Sequence, residues 1–416
     1  MKSSLNFEQT SQDDLHTGRS PWGGKIANPE RAALSASLKT GIAIIGGGIT
    51  GALTAEHLTS LGHEVTVIDR ETLGHGSTKA STAMLQWETD ASLQELTELY
   101  GFDSAADIYR RSSAAVAGLA NLIAEHRIPC SFHPRPTLYL AAGETGEREL
   151  REELALRHRA GLAGQLLPHA ELAQEFGLDR EAAILSPGSA EADPLLLCWS
   201  LLHIAASRGA RLIAADALHF HAEGDRVVVE TDGTHVIEAR HVVLATGYVM
   251  PHFVMPETHA TLSSYAICTV PQAPDRLWRD HALIWEATEP YLYMRATADN
   301  RIIIGGEDED IADPQKRDAL LPDKTLRLKE RLVQLWPQAD ATISHAWCGA
   351  FGETTDGLPL IGSVPGARNI HAAYGYGGNG ITFSYLASRM IAAMIAGDRQ
   401  GWFENFALDR PAPSSC

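Results

Sequence analysis

The stretch Gly41-Ile42-Ala43-Ile44-Ile45-Gly46-Gly47-Gly48-Ile49-Thr50-Gly51, continued by Val65-Thr66-Val67-Ile68-Asp69, decides the fold. Gly41 to Ile45 reads as a short buried strand, and Gly46, Gly48 and Gly51 form the G-x-G-x-x-G that turns it into a helix. In such a turn the first glycine permits the tight bend, the second lets backbone approach a pyrophosphate, and the third lets the helix close on the strand. The anion rests on the helix N-terminus, where unpaired N–H groups and the dipole favour negative charge. The helix carries Leu53, Leu58 and Leu61 and ends at Gly62, a natural residue to follow a helix C-terminus. A second strand, Val65 to Ile68, delivers Asp69 about 20 residues beyond the glycines, where an acid binds a ribose. Strand, turn, helix, strand and acid together point to dinucleotide binding. An acid at this place favours a free ribose over a 2′-phosphate, and the fingerprint alone leaves NAD and FAD open.

After Asp69 comes Gly74-His75-Gly76-Ser77-Thr78-Lys79-Ala80-Ser81-Thr82, a loop of small residues and hydroxyls suited to wrap a cofactor. Residues 91–173 read as helical, broken by Ile128-Pro129 and a short strand, Thr137 to Ala141; Leu150 to Ala160 reads as an exposed, charged helix. Asp193-Pro194 opens a helix from Leu195 to Ser207, and Arg211 to Ala215 is a strand. A hairpin around Asp232-Gly233 feeds a buried strand, His241 to Leu244, that stops at Ala245-Thr246-Gly247. From Pro256 to about Ala346 alternation returns and predicts an antiparallel sheet, with a helix from Leu326 to Trp336. A strand from Asn369 to Tyr374 then leads through Gly375-Tyr376-Gly377-Gly378-Asn379-Gly380 into a helix from Ile381 to Ile395. This second glycine run has no further strand or ribose acid after it, so it reads as a helix N-terminus facing an electron-rich ring edge.

The chain has 416 residues, enough for two or three domains at roughly 150 residues each. Its 34 basic and 52 acidic residues give a net charge of −18, which argues against nucleic acid or an anionic membrane as partner. No apolar run approaches the ~20 residues of a spanning helix. Cys130, Cys198, Cys268, Cys348 and Cys416 are scattered without a C-x-x-C, which suits a reducing cytoplasm, and the first 20 residues lack the apolar core of a secretory signal. The histidines, His241 and His252 among them, show no metal-ligand spacing, and no metal is expected. The arm before residue 39 carries Ser20-Pro21-Trp22, whose indole is the natural anchor onto the body.

Together the N-terminal fingerprint, Leu244-Ala245-Thr246-Gly247 and the C-terminal glycine run resemble the FAD-dependent D-amino-acid oxidase family. The likeness covers nearly the whole chain. Ser20-Pro21-Trp22, Tyr291 to Arg295 and Gly305-Gly306-Glu307-Asp308 look most like its γ-glutamylputrescine oxidase-like branch. The resemblance implies an α/β (α+β) fold, with a Rossmann-like FAD-binding domain interleaved with a substrate domain on a large antiparallel sheet. On this reading an arm, 1–38, precedes a discontinuous FAD domain of 39–90, 165–250 and 346–405, and a substrate domain of 91–164 and 251–345. Gly46, Gly48, Gly51 and Asp69 hold the ADP half, with Ile49, Thr50 and Arg70 beside them in the chain. Ser77 and Thr78 lie along the pyrophosphate with Lys79 in the same loop, and Thr246 and Gly247 lie near the nucleotide. Gly375, Gly377, Gly378, Asn379, Gly380 and Ile381 border the pyrimidine edge of the flavin.

The implied chemistry is removal of hydride from the carbon beside an amine nitrogen to flavin N5, giving an imine that water hydrolyses. A free amine gives up hydride only when neutral, so the site favours the deprotonated substrate. A small amine or amino acid is the expected partner, with oxygen or another electron acceptor. The same cofactor machinery suits a flavin dehydrogenase of a hydroxy acid or polyol, or a flavin-bound subunit without catalysis. The position where sarcosine oxidases carry an oxygen-activating lysine falls at Ile303 here, against rapid reaction with oxygen. Cys348 lies one residue early for a covalent flavin link, so non-covalent FAD is expected. Tyr265, Tyr291, Tyr293 and Arg295 are the candidates for the substrate wall, Arg295 as a bidentate clamp for a carboxylate. Alternation sets Tyr291, Tyr293 and Arg295 on one face, which equally suits a solvent or partner surface.

Overall fold

Ile42 to Ile45, Val65 to Ile68 and Val242 to Leu244 are buried without alternation, the pattern of strands covered on both faces. In the computed structural model, which describes residues 4–5, 15–24, 26–251, 254, 256–288 and 292–411, they lie side by side. Leu38–Ile45 pairs in parallel with Val65–Asp69 and with Val236–Leu244, and Val65–Asp69 pairs in parallel with Arg211–Ala214. His252, Tyr291, Cys416 and most of the first 14 residues of the arm lie outside the described residues. The helix Ile49–Ser60 packs between Pro194–Ser207 and Gly380–Ile395, and Gly62 follows it at φ +84°.

The second arm of the expected hairpin and the buried strand after it are one strand, Val236–Leu244. Its first half pairs antiparallel with Arg226–Thr231; its second half lies parallel to Ala367–Tyr374. The burial pattern changes from alternating to continuous along it, because helices cover only the second half, and this change reads in sequence as a break.

The second sheet runs in the order His16–Gly18, Ile343–Thr354, His259–Thr269, Ile302–Glu309, Leu292–Ala296, Leu283–Glu286, His133–Leu140, Ala182–Glu191, Met84–Leu85. It is antiparallel except where Leu283–Glu286 runs parallel to His133–Leu140. Two boundaries move. Gln165–Pro168 and Ala182–Glu191 belong to this sheet, so the return to the cofactor side comes at Pro194–Ser207 and not at residue 165. Ile343–Thr354 likewise carries the sheet beyond residue 346. Gly188 at φ +100° lets Ala182–Glu191 pass through Pro187-Gly188 as one strand. The helix on the far face, Pro314–Leu335, starts earlier than expected, since Asp313 accepts from the N–H groups of Gln315 and Lys316 and Pro322 is carried inside it. Trp22 docks the arm: its indole donates to the Ser81 carbonyl at 2.6 Å and its ring lies 5.2 Å from the Arg295 guanidinium. Among the described residues no helix is long and apolar enough to cross a membrane.

Behind the parallel sheet His371 is 2% exposed, 3.2 Å from Ser363 Oγ and stacked on His241. Burial first, then the neighbouring His241, pushes its pKa down to about 3. A depressed histidine contributes stability above its unfolded value, and that contribution falls as pH drops toward the folded one. The thermal midpoint is therefore expected to fall below about pH 6.5. His371→Gln should remove about 1.4 kcal/mol per pH unit from that slope, measured by thermal melts between about pH 4 and pH 6.5.

Candidate active site

The glycine turn has the geometry its spacing demands. Gly46 sits at φ +106°, and a Cβ on it would lie 2.3 Å from the Ala245 carbonyl oxygen. A Cβ on Gly51 would lie 1.9 Å from the Gly46 carbonyl oxygen, so helix and strand meet at backbone distance. Asp69 accepts from the N–H groups of Gly47 at 2.6 Å and Glu71 at 2.8 Å, while burial pushes its carboxyl up. No side chain caps the Ile49–Ser60 helix from Gly48; Thr78 Oγ1, from the hydroxyl loop, accepts from Ile49 N at 2.9 Å. Ser77 Oγ is buried beside it with no hydrogen-bond partner.

One cavity joins this turn to the second sheet. Strand register builds its far wall from one row of residues on a single face: Tyr139, Trp285, Tyr293, Gly305, Ala266 and Trp347 stand opposite one another across six strands. Trp285, Tyr293, Ala266 and Trp347 line the cavity. Trp285 stacks on Tyr139 with centroids 4.0 Å apart, and its indole N–H has no partner. The Tyr293 ring lies across Gly305, where a Cβ would come 2.3 Å from its hydroxyl.

Of the residues singled out in sequence, Gly46, Gly48, Ile49, Thr50, Asp69 and Arg70 line the cavity. So do Ser77 and Thr78, Thr246 and Gly247, and the run from Gly377 through Asn379 and Gly380 to Ile381. Gly51, Lys79 and Gly375 do not; Gly51 serves the helix–strand contact, and Gly375 packs against His259 and Thr354. Tyr265 lines the cavity, but its side chain belongs to the core on the far face and its hydroxyl donates to the Arg317 carbonyl at 3.2 Å. Its neighbour Ser264 also lines the cavity, and alternation gives Ser264 the near face.

Arg295 is a correction. It shares the Tyr293 face but lies one residue pair further along the strand, 2% exposed and away from the cavity. Its guanidinium is held by the carbonyls of Ala83 at 3.1 Å and Ala192 at 3.3 Å and by Glu191 at 3.4 Å, so it does not stand as a substrate clamp. Cys348 pairs with Tyr265 in register and shares its far-face core; burial raises its thiol to about 11, and the cavity does not reach it. Ile303, where a lysine was the alternative, is buried against Ala266, Cys268 and Trp347.

Sequence reasoning missed Gln86, Glu88 and Asp90, which also line the cavity. The Glu88 carboxylate accepts from the Thr137 hydroxyl, two residues from Tyr139 on the same sheet face. Behind it Arg157 is fully buried, 3.6 Å from Glu88 and 2.7 Å from Glu153, with the rings of Trp87 and Tyr139 at 5.5 and 5.7 Å. The helix Glu147–Arg159 is thus not a solvated rod: Leu150, Glu153, Leu154 and Arg157 form a buried face. Asp90 accepts from Gly378 N at 2.7 Å, in a space that a Cβ on Gly377 would fill. A signal for these groups lay only in pairing across the sheet, which no local motif records.

The model of the FAD dependent oxidoreductase family matches residues 41–394. The chain belongs to this family. Among its relatives, γ-glutamylputrescine oxidoreductase of Escherichia coli K12 is 26% identical over 386 residues, covering 90% of this chain and 87% of that protein. Glycine oxidase of Geobacillus kaustophilus is 26% identical over 365 residues, covering 85% of this chain and 92% of that one. The crystal structure of the latter superposes with a TM-score of 0.76 at 22% identity, over 90% of this chain and 99% of that one, which shows the fold.

For this FAD-dependent oxidoreductase the residues present fit the cofactor. The uncapped helix start, the orphaned Ser77 hydroxyl and the Cβ-free surface at Gly48 suit a pyrophosphate, and the cavity extends from there to an aromatic wall.

Proposed function

We propose that the protein oxidises a C–N bond of a small amine or amino acid with FAD as acceptor, giving an imine that water hydrolyses to a carbonyl compound. The observation that carries this reading is the single cavity running from the glycine turn to the Trp285–Tyr293 wall, which joins a dinucleotide cradle to an aromatic chamber. The names of two relatives, γ-glutamylputrescine oxidoreductase and glycine oxidase, support a nitrogen substrate. When bound, FAD supplies the acceptor for the electron pair that leaves the substrate carbon.

The chain's own residues bind, orient and exclude water. Asp69 and Arg70 would hold the ribose end, the start of the Ile49–Ser60 helix with Ser77 and Thr78 the pyrophosphate, and Gly247 the nucleotide. The N-terminus of Gly380–Ile395, with Gly377 and Gly378 before it, would present its dipole to the ring edge. Trp285 and Tyr293 would place the substrate carbon and keep water from it, which favours reaction of the neutral amine.

The test is steady-state turnover with an artificial electron acceptor and a panel of amines, amino acids, hydroxy acids and polyols, with the nitrogen product measured. Release of one ammonia or smaller amine per electron pair is expected. Turnover confined to hydroxy acids or polyols would overturn the reading.

A further inference from the structure

We propose that the N-terminal arm is a strap over the cofactor: residues 15–33 cross the outside of the hydroxyl loop, Leu15 completes the cavity wall, and FAD passes in or out only when the arm lifts. The inference rests on FAD binding and is independent of the C–N oxidation reading. Residues 75–78 and 80–82 of the hydroxyl loop line the cavity, Ser77 and Thr78 at the helix start among them. The arm touches the same loop at successive points. Leu15 Cδ1 stands 3.2 Å from the place a Cβ on Gly76 would take, and Leu15 itself lines the cavity. The His16 ring meets His75 edge-on, with centroids 4.8 Å apart. The Trp22 indole donates to the Ser81 carbonyl at 2.6 Å, and its ring packs beside Ala80 and Trp347.

The two ends of this segment are tied to the two sheets that enclose the cavity. His16–Gly18 pairs antiparallel with Trp347, Cys348 and Gly349 of the second sheet, and Trp347 and Gly349 line the cavity. At the other end Ala32–Ala33 pairs in parallel with Ile213 and Ala214 of the first sheet. Beside that pairing Arg31 donates to the carbonyl of Asp69, the residue assigned to the ribose, at 2.8 Å. Between the ends, Gly23 N donates to Asp193 Oδ2 at 3.5 Å and His203 Nε2 donates to the Ala27 carbonyl at 2.9 Å. With the arm in place the hydroxyl loop has no room to swing outward, and the cavity stays closed on that side. The hold is light. Among the described residues from 15 to 33, Ser20 and Pro29 are the buried ones, and the rest are half-buried or exposed. A segment with few buried apolar contacts opens at a lower free energy than the whole fold, so the strap lifts while both sheets stay intact. Trp22 is its clasp, the large ring between the two tied ends.

The test measures FAD exchange by flavin fluorescence in the full chain, in Trp22→Ala and in a chain lacking residues 1–24. Release is followed after the holoenzyme is diluted, and uptake after FAD is added back to the stripped protein. Trp22→Ala loses the hydrogen bond to Ser81 and the packing on Trp347, while Arg295 keeps Glu191 and the carbonyls of Ala83 and Ala192. Both altered proteins are expected to release FAD at least about tenfold faster than the full chain. Uptake should quicken as well, because a loosened strap stands open in a larger fraction of molecules. Loss of a mere contact speeds release and leaves uptake unchanged. Wild-type release from Trp22→Ala, or faster release with uptake unchanged or slowed, would overturn the proposal. Trp22→Ala decides the question by itself where the shortened chain does not fold. Either failure leaves C–N oxidation standing; a full chain that takes up no FAD overturns the cofactor assignment beneath the inference.

Discussion

Gly51→Ala is expected to yield a protein that purifies without FAD and melts well below wild type. The new Cβ would lie 1.9 Å from the Gly46 carbonyl oxygen and 3.0 Å from its carbon, both backbone atoms that no rotamer change can move. Relief requires the Ile49–Ser60 helix to lift from Leu38–Ile45. That helix is wedged between Pro194–Ser207 and Gly380–Ile395, so the displacement spreads into three packed elements. Overpacking of this kind costs about 1–3 kcal/mol. Function suffers more than stability, because the same displacement moves the helix start on which the pyrophosphate would rest. The flavin-to-protein ratio after denaturation and a thermal melt read the two effects separately. Gly62→Asn is the control: it sits at φ +84° with nothing within 4 Å of its Cβ, and it should keep wild-type flavin content. Wild-type flavin content in Gly51→Ala would contradict the account of the turn.

Arg157→Met is expected to destabilise the protein by about 3–5 kcal/mol at neutral pH, since it leaves Glu88 and Glu153 buried without their shared cation. The loss has a pH signature. Burial raises the Glu88 carboxyl and Arg157 is the leading influence against that rise. An acid raised in the folded state contributes stability below its unfolded pKa, and loses it as pH climbs through the folded value. Removing Arg157 raises Glu88 further, so the midpoint of Arg157→Met should fall more steeply than wild type as pH climbs above the ordinary glutamate value. Parallel curves for the two proteins would show that Arg157 acts through packing against Trp87, Tyr109 and Tyr139 alone.

The cofactor cradle was legible because it is local: its strand, turn, helix, strand and acid fall within residues 41–69, and each step follows from neighbours in the chain. The opposite wall is not local. Tyr139, Trp285, Tyr293, Gly305, Ala266 and Trp347 come together through register between strands, and register is set by pairings that span much of the chain. Alternation correctly set Tyr293 and Arg295 on one face. It carries no information on distance along the strand, and one residue pair, about 6.6 Å, takes Arg295 past the cavity and under Trp22. The Glu147–Arg159 helix misled through composition. Its charges suggest solvent, yet Glu153 and Arg157, four residues apart, face inward to a third charge that arrives from residue 88.

The measurement that tests the central claim most directly is the visible spectrum of the purified protein under argon, before and after addition of one equivalent of amine per flavin. A yellow flavoprotein that bleaches is expected, with one carbonyl product trapped per flavin reduced. A colourless protein that takes up no added FAD, or a flavin that hydroxy acids bleach and no amine does, would contradict it.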